Sequence, residues 1–265
     1  MLKDITLGQY FPGNSVVHRL DPRTKLIMVI VYIIALFNAV DYISYAFMFV
    51  ITAVCIKLSK INLKVILKGL KPLIIVIVLT AFLNIFFTTG TPIIKGLPMT
   101  WEGLKRACLL VLRIMMLISG TFLLTYTTSP MALTDGLESL LNPLKKIKVP
   151  VHEMSMMMSM ALRFIPTLTE ETDKIMSAQK ARGADFETGS ILDRAKALIP
   201  ILVPLFVSAF RRADELAIAM ESRCYHGGEG RTKLKVLKYT RLDVVTCFLG
   251  FACLAGVITL KHFGL

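Results

Sequence analysis

Two arginines, Arg182 and Arg223, each fall near the predicted end of a helix in a chain that is otherwise largely apolar. A guanidinium group makes paired hydrogen bonds to carboxylates and stays charged when it is partly desolvated. Small residues flank both arginines and would let each helix end enter a groove on another protein. The residue types therefore predict two docking tips, which consist of Ala181, Arg182, Gly183 and of Ser222, Arg223, Cys224. The alternative is that each arginine only stabilises its helix dipole and faces solvent.

The segments around the two arginines align with each other at a spacing of 41 residues. DKIMSAQKARG at 173–183 lies over DELAIAMESRC at 214–224, with identity at an aspartate, an alanine and the arginine. An apolar residue precedes each arginine by seven positions, so each arginine continues the apolar stripe of its helix. Gly183, Gly227 and Gly228 can adopt the left-handed conformation that ends a helix. Two arginines in one shared context favour docking over simple capping.

A methionine-rich segment, HEMSMMMSMALRF at 152–164, is the second candidate surface. Methionine side chains are flexible and polarizable, and they suit surfaces that accept several partners. An ordinary buried helix is an alternative, and a metal site is a weaker one because no Cys or His at a soft-ligand spacing accompanies the segment. The candidate contact residues are Met154, Met156, Met157, Met158 and Met160.

The composition predicts that these segments belong to an all-α integral membrane protein. Of the 265 residues, 55% are hydrophobic, which is rare in a soluble domain. Uninterrupted apolar runs predict about five transmembrane helices, at 26–40, 42–58, 72–87, 104–126 and 242–260. Arg113 lies inside the fourth of these. An intramembrane charge is a functional candidate, but a structural pair or a water-facing position is favoured here over a transport pathway.

Loop charges predict the orientation of the spans. The loop between the second and third spans holds five lysines, whereas the connections at 38–41 and 88–103 carry almost no charge. The positive-inside rule then places the N-terminus, the lysine loop and residues 129–241 in the cytoplasm. The same rule accounts for the net charge of +13 without nucleic acid as a partner.

The stretch from 129 to 241 is expected to be a module of helices on one side of the membrane. Charge rises there, and prolines divide it into helical pieces at 131–141, 151–182 and 191–225, with bends at Pro166 and near Pro200–Pro204. The predicted domains are the N-terminal transmembrane helices at 1–128, the helical module at 129–232 and a C-terminal transmembrane helix at 233–265.

Motifs for catalysis and nucleotide binding are missing from the sequence. The pattern G-x-x-x-x-G-K-[ST] does not occur, and GGEGRTK at 227–233 resembles a phosphate loop only superficially. No serine nucleophile elbow, HExxH helix or paired His/Asp set occurs either. The sequence therefore predicts no catalytic residue, no cofactor site and no metal site, and the chain should not bind ATP itself. A self-contained channel or a membrane-embedded enzyme is kept as the alternative.

Three segments together resemble the transmembrane T component of energy-coupling factor (ECF) transporters, which are bacterial ABC importers for vitamins and trace metals. They are GQYFPGNSVVHRLDPRTKL at 8–26, ARG at 181–183 and SRCYHGGEGRT at 222–232. The resemblance covers nearly the whole chain and implies a non-catalytic coupling subunit in the bacterial cell membrane. It implies two crossed cytoplasmic coupling helices, each ending in an Ala-Arg-Gly motif docked into one of two ABC ATPase subunits.

The same resemblance implies a role for each candidate surface. Ala181, Arg182 and Gly183 match the first motif, while Ser222 and Cys224 replace the expected neighbours of Arg223 in the second. The methionine-rich segment is expected to contact an exchangeable membrane-embedded subunit that binds the substrate, the S component. The transported substrate would be chosen by that subunit.

Overall fold

The described part of the computed structural model is built of helices and contains no β-strand. It comprises residues 10–91, 100–186, 188, 190–227 and 236–263. Most of the loop at 88–100, the glycine-rich segment at 228–233 and the first two residues of the segment at 8–26 lie outside these residues. The predicted all-α class is confirmed.

The chain divides into two units. The membrane unit comprises residues 8–140 and 237–265, and the long-helix unit comprises 1–7 and 141–236. In chain order, the helices are α1 (Val16–Arg19), α2 (Pro22–Asn38), α3 (Tyr42–Ser59), α4 (Leu63–Leu70), α5 (Ile74–Phe87), α6 (Trp101–Thr127), α7 (Pro130–Leu141), α8 (Val151–Ala181), α9 (Ile191–Glu221) and α10 (Arg241–Phe263).

Within the described residues, four stretches of helix are long and apolar enough to cross a membrane, which confirms the expected membrane protein. They are Tyr42–Ser59, Leu63–Phe87, Trp101–Thr127 and Arg241–His262. The second of these joins α4 to α5 through a 3₁₀ turn and begins earlier than the span predicted at 72–87. The span predicted at 26–40 corresponds to α2, whose 17 residues are fewer than the ~20 that a straight span needs. The total number of spans stays a prediction.

Four helices of the membrane unit, α1, α2, α4 and α6, begin where a short polar side chain satisfies a free backbone N–H group. The side chain of Asp21 accepts a hydrogen bond from the N–H of Arg23, and Pro22 occupies the first helical position of α2. Asp21 and Pro22 therefore mark the start of this helix. Thr100 does the same for α6 by accepting from the N–H of Gly103.

The core of the membrane unit lies where α2, α3, α6 and α10 meet. The buried cluster consists of Ala35, Leu36, Ala39, Tyr45, Met48, Met116 and Val257. Small residues let the helices approach closely, because a Cβ atom at Gly103 of α6 would lie 2.7 Å from the carbonyl oxygen of Asn84 in α5. Close approach of this kind is how membrane helices gain van der Waals contact without a hydrophobic driving force.

Arg113 serves as a cap for a neighbouring helix. From α6, its Nη2 donates to the carbonyl oxygen of Ala39, the residue after α2, at 2.9 Å. Its guanidinium also lies over the rings of Phe37 and Tyr45, 5.7 Å and 5.5 Å from their centroids. Ala39 is 0% exposed, so this carbonyl has no access to water. The intramembrane charge therefore has the structural role that the sequence favoured.

A buried set of polar groups, here called the base network, joins three helix termini at one face of the membrane unit. In α10, Asp243 accepts from the N–H of Asp21 at 2.8 Å, and from the N–H and hydroxyl of Thr240 at 2.8 Å and 2.6 Å. Lys25 of α2 donates to the carbonyl oxygen of Thr127, at the end of α6, at 2.9 Å. The starts of α2 and α10 and the end of α6 are thus held together by hydrogen bonds.

Candidate functional site

The two arginine tips are the ends of the long helices α8 and α9, each of 31 residues. The bounds agree with those predicted from the sequence to within a few residues. Helix α9 begins with a capping box. The Asp193 carboxylate accepts a hydrogen bond from the N–H of Ser190, and the Ser190 hydroxyl oxygen accepts one from the N–H of Leu192. Both helices continue through their internal prolines, Pro166 in α8 and Pro200 and Pro204 in α9.

Helix α8 ends in a Schellman motif, a cap with two backbone hydrogen bonds closed by a left-handed residue. The N–H of Gly183 donates to the carbonyl oxygen of Lys180, and the N–H of Ala184 donates to that of Gln179, both at 3.0 Å. Gly183 supplies the left-handed conformation, with φ +88°. Arg182 is the residue just before this turn, so its side chain projects from the very end of the helix.

Helix α9 ends in the same motif with a different residue type. The N–H of Cys224 donates to the carbonyl oxygen of Glu221 at 2.8 Å, and that of Tyr225 donates to that of Met220 at 3.1 Å. Cys224 takes the left-handed position, with φ +54°. Arg223 therefore occupies the same position in the cap of α9 as Arg182 does in the cap of α8.

The residue that ends α9 differs from the one expected from the sequence. Gly227 and Gly228 were predicted to end this helix. Gly227 has a left-handed φ of +99°, but it lies six residues after Glu221, the last residue of α9; Gly228 lies outside the described residues. The helix stops earlier because Cys224 completes the hydrogen-bonded cap that a glycine completes at the other tip.

Both tips are free to meet another molecule. The six tip residues are all exposed; they are Ala181, Arg182, Gly183, Ser222, Arg223 and Cys224. Among the described residues, neither guanidinium forms a hydrogen bond or an ion pair. Unpaired guanidinium groups at exposed helix ends can receive carboxylates.

An ion pair between α8 and α9 joins the two helices, and we call it the clasp, with its residues Glu171, Ser208 and Arg212. Nη2 of Arg212 donates to Oε2 of Glu171 at 3.0 Å, and its Nε lies 3.5 Å from the hydroxyl oxygen of Ser208. A hydrogen bond from the Ser208 hydroxyl lowers the pKa of the Glu171 carboxyl, and the Arg212 guanidinium lowers it further. The carboxylate is thus held ionised against its partner.

The clasp stands at an equal distance from both tips. Glu171 lies eleven residues before Arg182, and Arg212 lies eleven residues before Arg223. Eleven residues of α-helix correspond to about 16 Å in each case. The clasp partners are 41 residues apart in sequence, which is also the spacing of the two tip arginines. The sequence analysis did not predict the clasp. The opposite charges of Glu171 and Arg212, at the same 41-residue spacing as the aligned segments, could have indicated it.

The methionine-rich segment forms the first turns of α8. Met154, Met157 and Met158 are 47%, 57% and 46% exposed, whereas Met156 and Met160 are half-buried. The exposed three follow the spacing of one helix face. Helix α8 therefore carries the methionine surface near its start, the clasp in its second half and an arginine tip at its end.

A second apolar surface lies on the middle of α9. Its side chains are all more than half exposed; they are Leu202, Val203, Phe206, Val207 and Phe210. A soluble monomer rarely exposes so continuous an apolar patch. The surface is suited to lipid or to an apolar partner. Among the residues that the structure describes, no group of three His, Cys, Asp or Glu side chains could hold a metal ion.

Comparisons with known proteins agree with these features. Residues 13–234 match the model of the CbiQ family, described as cobalt transport protein. A protein of Thermosediminibacter oceani is 57% identical over 245 residues, which is 92% of each chain. One of Ruminiclostridium cellulolyticum is 51% identical over 264 residues, 99% of each chain, and one of Bacillus subtilis is 51% identical over 246 residues, 92% of this chain and 93% of the relative.

Each of these three relatives is named as an energy-coupling factor transporter transmembrane protein, EcfT. The matches run over nearly the full length of both chains, so they include the membrane unit as well as both arginine tips. The membrane-crossing helices and the transport role implied by the sequence agree with them. This chain therefore belongs to the CbiQ family of cobalt transport proteins, and within it to the transmembrane proteins of energy-coupling factor transporters.

Proposed function

We propose that this chain is the coupling subunit of its transporter and transmits ATP-driven motion from two ATPase subunits to a membrane-embedded S component. ATP would be bound and hydrolysed by the partner subunits. The cargo would be a vitamin or another micronutrient, selected by the S component. The single observation that supports this most is the pair of exposed arginines in matching helix caps, each eleven residues beyond one shared clasp.

The docking step follows from the chemistry of the tips. Each guanidinium projects from a helix end with no partner among the described residues, and a groove lined with carboxylates on an ATPase would provide the paired hydrogen bonds that it lacks. Two equal tips on one unit fit two copies, or two related kinds, of ATPase subunit. Ala181 and Gly183 at one tip, and Ser222 and Cys224 at the other, are small enough to let the helix end enter such a groove.

The transmission step follows from the arrangement along α8. Its first turns present the exposed Met154, Met157 and Met158. Arg182 follows its last residue, about 36–42 Å from these methionines along the helix. When the ATPases approach each other, the two tips would move relative to each other about the clasp. The methionine surface, which we assign to the S component, would then move with the rest of α8.

We further propose that the N-terminus and the module at 129–232 lie in the cytoplasm of a bacterial cell. Five lysines between residues 57 and 71, at the end of α3 and in and around α4, support this orientation through the positive-inside rule. Because the relatives are named as membrane proteins of energy-coupling factor transporters, we prefer coupling to the channel or enzyme alternative.

Copurification of the tagged full-length chain from its own membranes tests the proposal. Wild type should bring down two nucleotide-binding subunits and a small hydrophobic protein. Exchange of both Arg182→Ala and Arg223→Ala should remove the nucleotide-binding subunits and abolish uptake, since a buried interface arginine contributes roughly thirtyfold or more to affinity.

Matched controls separate docking from general charge. The pair Arg194→Ala and Arg211→Ala removes two exposed arginines from α9 away from the tips and should leave assembly unchanged. Arg182→Lys keeps the charge but lacks the planar fork, and should assemble poorly. Normal transport by the double tip variant would refute the proposed coupling role.

A further inference from the structure

The membrane unit contains a cleft beside its core. It has a volume of about 630 Å³ and lies between α1, α2, α3, α6 and α10. Its lining is mainly apolar, with Met28, Phe47, Val50 and Leu249 among the side chains that form it. Several of these remain exposed, Val50 by 58% and Leu249 by 62%, so the cleft opens to the surroundings of the helices.

The polar groups of this cleft are already satisfied within the chain. The Tyr32 hydroxyl lies 2.7 Å from that of Thr52 and donates to the carbonyl oxygen of Met116 at 3.1 Å. The Lys25 ammonium donates to three oxygens, those of Thr127 and His18 and the hydroxyl of Thr128. No donor is left over for a polar ligand at these positions. An occupant of the cleft must therefore be hydrocarbon.

One end of the cleft continues into a second, smaller space with a different lining. This space of about 370 Å³ shares Val16, Val54 and Leu58 with the cleft and adds Asn14, Ser15, Lys57 and Lys60. Both lysines are exposed, and within the described part of the chain neither ammonium group has a hydrogen bond or an ion pair. The apolar cleft thus ends in a mouth that offers two cations.

The length of the cleft matches one leaflet of a membrane. Along α3 its lining runs from Phe47 to Leu58, which is about 16 Å of helix. Half of the ~30 Å hydrocarbon core of a bilayer has nearly the same depth. The lysines lie at the end of α3, where a headgroup would be found if an acyl chain filled the cleft.

We propose that this cleft is a binding site for one anionic phospholipid, with an acyl chain between the helices and its phosphate between Lys57 and Lys60. The apolar lining and the depth of one leaflet favour an acyl chain as the occupant, and the ammonium groups of Lys57 and Lys60 favour a negatively charged headgroup. Bound lipid would fill a gap against α2, α3 and α10 and stabilise their packing.

Native mass spectrometry of the purified full-length chain tests this with phosphatidylglycerol and phosphatidylcholine as probes. One phosphatidylglycerol per chain should remain bound, and phosphatidylcholine should bind much more weakly. The double variant Lys57→Gln with Lys60→Gln should weaken phosphatidylglycerol binding by about thirtyfold, because it removes two cations that each attract the lipid phosphate. The control Lys64→Gln with Lys68→Gln removes two exposed lysines of the neighbouring helix α4 that do not line the mouth, and should have no effect.

A second pair of variants tests the position of the acyl chain. Ala252→Phe places a ring in the cleft and should reduce phosphatidylglycerol binding, whereas Ala255→Phe, on an exposed part of α10 outside the cleft, should not. Binding that is unchanged by Ala252→Phe would overturn the proposal. Equal affinity for both lipids, or full competition by soluble glycerol phosphate, would overturn it as well.

Photo-cross-linking in intact membranes tests the native occupant. A photoreactive residue at Val50, inside the cleft, should form adducts with lipid. Adducts only with a protein chain would show that a partner subunit fills the cleft, and would refute the lipid site.

Discussion

Exchanging the residue types at the two left-handed cap positions should change the stability of the two helix ends in opposite directions. Gly183 and Cys224 occupy the same position of the same cap, at φ +88° and +54°. A residue with a Cβ atom pays about 1–2 kcal/mol in the left-handed region. Glycine avoids this cost. It also makes the unfolded chain more flexible, which reduces the stability gained from glycine by roughly 0.4–1 kcal/mol. The net difference is about 1 kcal/mol at either tip.

Gly183→Ala should therefore destabilise the end of α8, and Cys224→Gly should stabilise the end of α9. No atom lies within 4 Å of a Cβ added at Gly183, so backbone strain and not a steric clash sets the expected loss. About 1 kcal/mol corresponds to a roughly fivefold change in the local opening equilibrium.

Amide hydrogen exchange of the full-length protein in nanodiscs measures this directly. The N–H of Ala184 should exchange about fivefold faster in Gly183→Ala, and that of Tyr225 about fivefold slower in Cys224→Gly. Ala219→Gly, inside α9, serves as the control and should cost about 1 kcal/mol, because glycine disfavours a helix interior. Slower exchange in the control, or faster exchange in Cys224→Gly, would refute the assignment of the left-handed cap.

Three further predictions concern the contacts that hold the two units in shape. Arg113→Met should lower the thermal stability in detergent by about 1–3 kcal/mol, because the buried Ala39 carbonyl loses its donor; an unchanged melting temperature would contradict the capping role. Asp243→Asn should lower the stability by a similar ~1–3 kcal/mol, because one acceptor oxygen is replaced by an NH₂ donor that faces an N–H group. Asp243→Glu is the control that keeps the charge. Reversing the clasp with Glu171→Arg and Arg212→Glu should restore the helix contact that either change alone weakens, as seen by cross-linking between α8 and α9. Because the pKa of Glu171 is lowered in the folded protein, its contribution is present above the ordinary carboxyl pKa of about 4.3 and is lost only as the pH falls below it, so the contact should persist at pH 5.

The bounds of the long helices could be predicted from the sequence because the residues that start and stop a helix act locally. Pro150 and the capping residue Ser190 mark where α8 and α9 begin, and the apolar stripe continues to each arginine. Membrane-crossing helices are equally local, since their signal is an uninterrupted apolar run. The all-α class, the family and the position of the two arginines at helix ends could therefore be predicted from the sequence, whereas the docking role of the tips stays a prediction.

The remaining features depend on conformation or on long-range contact. A cysteine in the left-handed region has no sequence signal, since glycine is the residue expected there; Gly227 was consequently assigned the role that Cys224 has. The clasp requires knowing which faces of α8 and α9 meet, and the cap that Arg113 provides requires knowing where α2 ends. None of these follows from periodicity within one segment.

The equal spacing between the clasp and the tips restricts how the sequence can change. Eleven residues advance an α-helix by three turns plus about 20°, so Arg182 leaves α8 on nearly the same side as Glu171, and Arg223 leaves α9 on nearly the same side as Arg212. One inserted or deleted residue between them would turn an arginine by about 100° and leave its partner unmoved. The different neighbours Ser222 and Cys224 show that the residues flanking the arginine can differ between the two tips, whereas a change in the length of either segment would turn one arginine away from the side of its helix that carries the clasp residue.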